Sequence, residues 1–126
     1  MLDSDEKITA FLVQLNKLTS LGRMQWEVTE VPSSILRGTD DYIPVFMAVT
    51  YKGKRFGLFQ QRYQLYDGNH DRHYWIDRIL FVILSYDDKV LWATTTHSSA
   101  LNDLFETVRR KVADVDGVID EILSDT

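Results

Sequence analysis

The chain has 126 residues, 44% of them hydrophobic, with six Tyr, six Phe and three Trp; this is enough apolar surface for one ordinary domain without metal or disulfide staples. It contains no cysteine, which excludes thiol chemistry, thiolate metal sites and disulfide bonds. The formal net charge of −5 belongs to the end of the chain: Asp114, Asp116, Asp120, Glu121 and Asp125 follow residue 112 with no basic residue among them, and the 19 acidic residues less these five balance the 14 basic ones, so the body carries no bias toward polyanions.

The opening MLDSDEK is acidic and lacks the basic-then-apolar pattern of a signal peptide. The longest apolar run, Ile79 to Leu84, is too short to cross a bilayer as a helix. Both features point to a cytoplasmic protein with no membrane partner. Asp3 or Ser4 suits an N-cap, with Glu6 in the capping-box position after Asp3, and Ile8, Phe11, Leu12, Leu15 and Leu18 recur at helical spacing. Gly22 stands where a left-handed C-terminal cap belongs.

Trp26 to Val31 reads as a first strand, ended by Pro32 and a polar loop, PSSILRGTDD. Tyr42 to Tyr51 is the second strand, with Pro44 near its start. A compact turn at Lys52-Gly53-Lys54 leads to a third strand, Arg55 to Tyr66. Tyr74 to Tyr86 is the fourth and longest, and after Asp87-Asp88-Lys89 a fifth runs from Val90 to Thr95. Ser98 or Ser99 then caps a helix with apolar positions Leu101, Leu104, Phe105, Val108 and Val112. Val115, Val118, Ile119, Ile122 and Leu123 resume a helical stripe as a short third helix or a kinked continuation, within an acidic segment 113–126.

This order predicts a single α+β domain over 1–126. A five-stranded antiparallel meander is flanked by an N-terminal helix and one or two C-terminal helices, packed mainly on one face. The layout is similar to the profilin-like class, although no residue motif carries that likeness. FLVQLNKLTSLGRMQW (11–26), with the ending VRRKVADVDGVIDEIL, resembles a group of small uncharacterised bacterial proteins. The resemblance implies a bacterial origin and this architecture. It brings no activity, cofactor or site residue, because the group has no assigned function.

In a meander, alternate connections fall at one end. That places loop 32–41, the loop 67–73 that opens the stretch DGNHDRHYWID, and the junction 94–99 together, along with all three histidines, His70, His73 and His97. The N-termini of the two main helices are expected there too, where free N–H groups favour an anion. Ser33, Ser34, Arg37, Asn69, Arg72, Thr96, Ser98 and Ser99 could add donors.

Several chemistries can be weighed at that end. Asp67, Asn69 and Asp71 imitate the start of a calcium loop, but Arg72 replaces its Gly and Arg78 its bidentate Glu. His70, His73, His97 and Asp71 are suitable ligands for a divalent transition metal, yet loop histidines more often face water or bond to backbone. His97 beside Ser98 and Ser99 lacks a GxSxG elbow, and helix capping explains the serines equally well. No GxGxxG or P-loop sequence occurs. The expectation is therefore no metal, no cofactor and no catalytic residue. A small-ligand or anion site at His70, His73, His97, Asp71, Arg72, Ser98 and Ser99 stands as the alternative.

Apolar surface is the stronger clue. The fourth strand is apolar on both faces, Ile79, Phe81 and Ile83 on one and Leu80, Val82 and Leu84 on the other. One helical layer covers one face; the other needs sheet curvature, with Trp26, Trp75, Trp92 and the tyrosines filling both faces, or the C-terminal segment, or another chain. The favoured function is a non-enzymatic interaction or adaptor domain that binds a protein partner or itself as a homodimer, through Ile79, Phe81 and Ile83 or through the acidic C-terminal helix. The basic residues Arg23, Lys52, Lys54, Arg55, Lys89 and Arg109 to Lys111 suit exposed hairpins and helix C-termini, which disfavours a nucleic-acid role.

Overall fold

The computed structural model describes residues 4–36, 42–95 and 98–125. In chain order the elements are α1 (Ser4–Ser20), β1 (Glu27–Thr29), α2 (Ser33–Leu36), β2 (Phe46–Tyr51), β3 (Lys54–Asp67), β4 (Arg72–Leu84), β5 (Val90–Thr94), α3 (Ser99–Ala113) and α4 (Val115–Leu123). The strands form one antiparallel sheet in the order β1-β2-β3-β4-β5, so the chain is an α+β meander between terminal helices. No described helix is long and apolar enough to cross a membrane. Two compact units are distinguished, one comprising Met1–Glu27 with His97–Thr126, the other Val28–Thr96.

In the helical unit α1 packs on α3. Their stripes meet as the spacing predicts: Leu12, Leu15, Ala100, Leu101, Leu104, Phe105 and Val108 are buried, and each large apolar side chain contributes roughly 1.5–3 kcal/mol by leaving water. Gly22 ends α1 with a φ of 78°. Its N–H bonds to Thr19 O at 3.0 Å and that of Arg23 to Leu18 O at 2.9 Å, the paired 5→2 and 6→1 bonds of a Schellman cap. The proposed cap at Asp3 lies outside the described residues. Ser98 takes the N-cap position of α3 with an extended backbone, but its hydroxyl makes no capping bond. Asp114, at φ 50° and ψ 50°, separates α3 from α4 by a single left-handed residue, and Arg110 pairs with Asp116 across the break at 3.0 Å.

Trp26 belongs to this unit rather than to the first strand. Its indole Nε1–H donates to Thr19 Oγ1 at 3.0 Å, while the Thr19 hydroxyl donates to Leu15 O at 2.8 Å. The strand itself is only Glu27–Thr29.

In the sheet unit, Tyr51 opposes Lys54 across a two-residue loop in which Lys52 and Gly53 both have positive φ, 52° and 74°. This is the primed turn whose twist suits a hairpin. One sheet face is closed by the chain itself: Val31, Ile35 and Leu80 pack against Ile43, Phe46, Ala48, Phe59, Val82 and Leu84. The segment that reads as a polar loop therefore contains a helical turn, α2, whose Ile35 covers β2, β3 and β4. Ser34 consequently reaches the β4–β5 turn, where its hydroxyl donates to Asp88 O at 2.7 Å. That is the end opposite to the one expected for it. On the other face Met47, Val49, Phe56, Leu58 and Phe81 are buried, with Phe81 tilted against Phe56 and edge-on to Trp92.

Candidate functional site

Strand length decides where exposed surface lies. β2 pairs with β3 over Lys54 to Phe59, followed by an isolated bridge between Tyr42 and Arg62, and β5 pairs with β4 over Phe81 to Leu84. β3 and β4 continue together to Asp67 and Arg72. Residues 63–76 thus form a two-stranded arm, about 15 Å long on each strand at ordinary rise. Among the described residues no further strand pairs with β3 beyond Arg62 or with β4 before Phe81.

The register sorts the arm's side chains. Tyr63, Leu65, Tyr74 and Ile76 share one face, and Gln64, Tyr66, His73 and Trp75 the other. A lone ribbon cannot bury two apolar faces. Tyr66 and Trp75 are 56% and 55% exposed, and Leu65 and Tyr74 also lie open to solvent. Trp75 is therefore a surface residue, not the core filler that the sequence suggests.

Most charged groups at the arm's root and tip, by contrast, already have partners. At its root Arg62 Nε donates to Asp77 Oδ1 at 2.9 Å, which raises the guanidinium pKa above its ordinary value, first through the hydrogen bond and then through the charge. Arg78 Nε donates to Gln61 Oε1 at 2.8 Å, and its guanidinium lies 4.7 Å from the Tyr63 ring centre, a cation–π distance.

DGNHDRHYWID closes the tip. Asp67 Oδ1 accepts the Asn69 N–H at 3.0 Å, and Asp67 Oδ2 lies 2.7 Å from His70 Nδ1. Asp71 takes the left-handed conformation at φ 47° and accepts the Tyr66 hydroxyl at 2.6 Å. His73 packs against the Tyr66 ring with centroids 5.1 Å apart. Asp67, His70, Asp71 and His73 thus each have a partner within the hairpin. Among the described residues no group of three or more His, Asp or Glu is placed to hold a metal ion.

Comparison with protein-family models, with curated proteins and with solved structures finds no match. The reading of the site accordingly rests on its geometry.

The residues proposed as a ligand site are distributed as follows. His70, Asp71, Arg72 and His73 sit at the arm's tip, all exposed, while Ser98 and Ser99 open α3. His97, Arg37 and Thr96 lie outside the described residues. Thr94 is level with Phe81, nine residues along β4 from Arg72, which is about 30 Å of strand. The tip and the end of β5 share an end of the meander by topology, but the overhang of β3 and β4 separates them. Of the residues proposed as an interface, Phe81 is fully buried, and Ile79 and Ile83 are half-buried. Leu65, Tyr66, Tyr74 and Trp75 form the open apolar surface instead. The sequence signal for it was the alternation of aromatic residues with Arg and Gln in the third and fourth strands, which reads equally well as a half-buried strand inside a sheet.

Tyr66 provides a test of the tip. The Asp71 carboxylate accepting its hydroxyl, and secondarily its partial burial, raise its pKa above the usual tyrosine value. The neutral phenol is favoured in the folded state, so this contribution to stability is complete below the ordinary tyrosine pKa and is lost as pH rises through the higher folded one. An alkaline absorbance titration should show a late-ionising tyrosine that disappears in Tyr66→Phe and moves down in Asp71→Ala. An unchanged Tyr66 titration in Asp71→Ala would show that the hydrogen bond does not form.

Proposed function

We propose that this chain is a non-enzymatic protein-interaction domain that presents its β3–β4 arm to a protein partner. The observation that carries this reading is the unsupported ribbon 63–76, apolar on both faces and unpaired along both edges among the described residues. Soluble proteins usually shorten, cover or charge such edges, and contiguous exposed apolar surface marks contact sites. The polar groups favour the same reading: Asp67 and Asp71 in the arm and Arg62, Asp77 and Arg78 at its root are engaged with neighbours, leaving aromatic and backbone groups, with the exposed Arg72 at the tip, as what the arm can offer. Aromatic anchors beside open strand edges suit a partner strand added along β4, with main-chain bonds supplying affinity and Tyr74 or Trp75 supplying selectivity.

The test places a photo-crosslinking residue at Leu65 and compares adducts formed in cells by the otherwise unaltered chain and by the Tyr66→Ser, Trp75→Ser variant. Because these side chains are exposed, the double variant should unfold within about 1 kcal/mol of the parent. Discrete protein adducts that disappear in the folded double variant are expected. Adducts unaffected by the substitutions, or none at all, would count against the arm as a binding element.

A further inference from the structure

Two exposed surfaces outside the arm complement each other. α4 places Val115, Val118, Ile119 and Ile122 at spacings of three, four and seven residues, a helical stripe. Val118, Ile119, Ile122 and Leu123 are exposed, Ile122 and Leu123 by 65% and 75%. Asp116, Gly117, Asp120 and Glu121 occupy the remainder of the helix, which contains no basic residue. Of the three carboxylates only that of Asp116 has a cation beside it in the described residues, that of Arg110. A surface helix normally turns such a stripe inward.

In the sheet unit, a groove of about 620 Å³ lies between the β2–β3 and β4–β5 turns, with Ile83, Leu84, Tyr86 and Leu91 as its apolar lining and Lys54 and Arg55 as its charged one. Among the described residues no carboxylate lines it. Asp88 engages Arg55 at 2.8 Å, while the Lys54 ammonium has no ion pair among the described residues. Leu91 is 67% exposed, so the groove is open to an incoming chain.

We propose that α4 of one copy docks in this groove on a second copy, Ile119, Ile122 and Leu123 meeting Ile83, Tyr86 and Leu91, with the acidic helix beside Lys54. Charge and apolarity both match: an acidic helix with an open apolar stripe meets a basic groove with an open apolar lining. Apart from the half-buried Ile83, the named apolar side chains of both surfaces are exposed among the described residues, and a second copy supplies each surface with an occupant of matching chemistry. One copy carries one helix and one groove, so each docking event joins two copies. The contact is independent of the β3–β4 arm.

Sedimentation equilibrium of the full chain, from about 1 µM to about 1 mM, spans the range for an interface this small. The mass should rise above that of the monomer as concentration increases, and association should weaken as salt is added. Ile122→Asp and Leu91→Asp, each altering an exposed side chain and keeping the parent circular dichroism, should weaken association at least about tenfold. Mixing these two variants should recover partial association, because the first retains an intact groove and the second an intact helix. A parent chain that is monomeric at about 1 mM overturns the proposal. So does association that survives both substitutions, or that is abolished by Trp75→Ser, which alters neither surface.

Discussion

Replacing Gly57 with alanine is expected to destabilise the sheet unit by about 1–3 kcal/mol, the usual effect of forcing a methyl group into a filled core. A Cβ built at Gly57 would stand 2.6 Å from Phe46 Cζ and 2.8 Å from Val82 Cγ2, well inside van der Waals contact. Neither neighbour can yield easily: Phe46 is packed against Phe59 with ring centres 5.3 Å apart, and both Phe46 and Val82 are buried in the cluster that α2 closes. The missing side chain on β3 thus makes room for the Phe46 ring to cross the strand, opposite Ala48 on β2 and Val82 on β4. Chemical denaturation should read the loss as a lower midpoint with an unchanged slope. In a double-mutant cycle with Phe46→Leu, the pair should lose less than the sum of the singles, because the smaller side chain relieves the clash. Strict additivity would show that Phe46 does not lie over Gly57.

Thr19→Val has the second large effect, again about 1–3 kcal/mol, by a different cause. The substitution keeps the shape of a fully buried side chain and removes only its hydroxyl, which accepts from Trp26 Nε1 and donates to Leu15 O. Valine leaves the buried indole N–H without its acceptor, and that desolvated donor dominates the loss. Thr19→Ser, which keeps the hydroxyl, should retain the hydrogen bond and lose only the contribution of a methyl group. The tryptophan emission of Trp26 should shift in the valine variant and stay near the parent in the serine variant. If the two are equally destabilised, the hydroxyl does not anchor Trp26.

These two positions show how unevenly the fold is written along the chain. Gly22 signals its helix stop directly, because a left-handed cap is a local demand of the backbone. Gly57 gives no such signal: what excludes a side chain there is the Phe46 ring, eleven residues earlier on another strand. Thr19 likewise reads as one polar residue near the end of an amphipathic helix. Its role exists only once Trp26 has folded back beside it.

The sequence by itself determined the type and order of the main elements, though not whether the C-terminal segment is one helix or two, because hydrophobic period, turn residues and caps are properties of a few neighbouring residues. It determined the meander too, since short turns between five successive strands leave little other choice. The tertiary structure decided which residues are available for function. Alternation along a strand records which side chains share a face but not whether a neighbouring strand or a covering segment is present, and that depends on how far each partner extends. Hence the overhang of β3 and β4 exposes Tyr66 and Trp75 in an arm and carries His70 and His73 to its tip, away from the end of β5, while Val31, Ile35 and Ile43 close the sheet face that the sequence left without a cover.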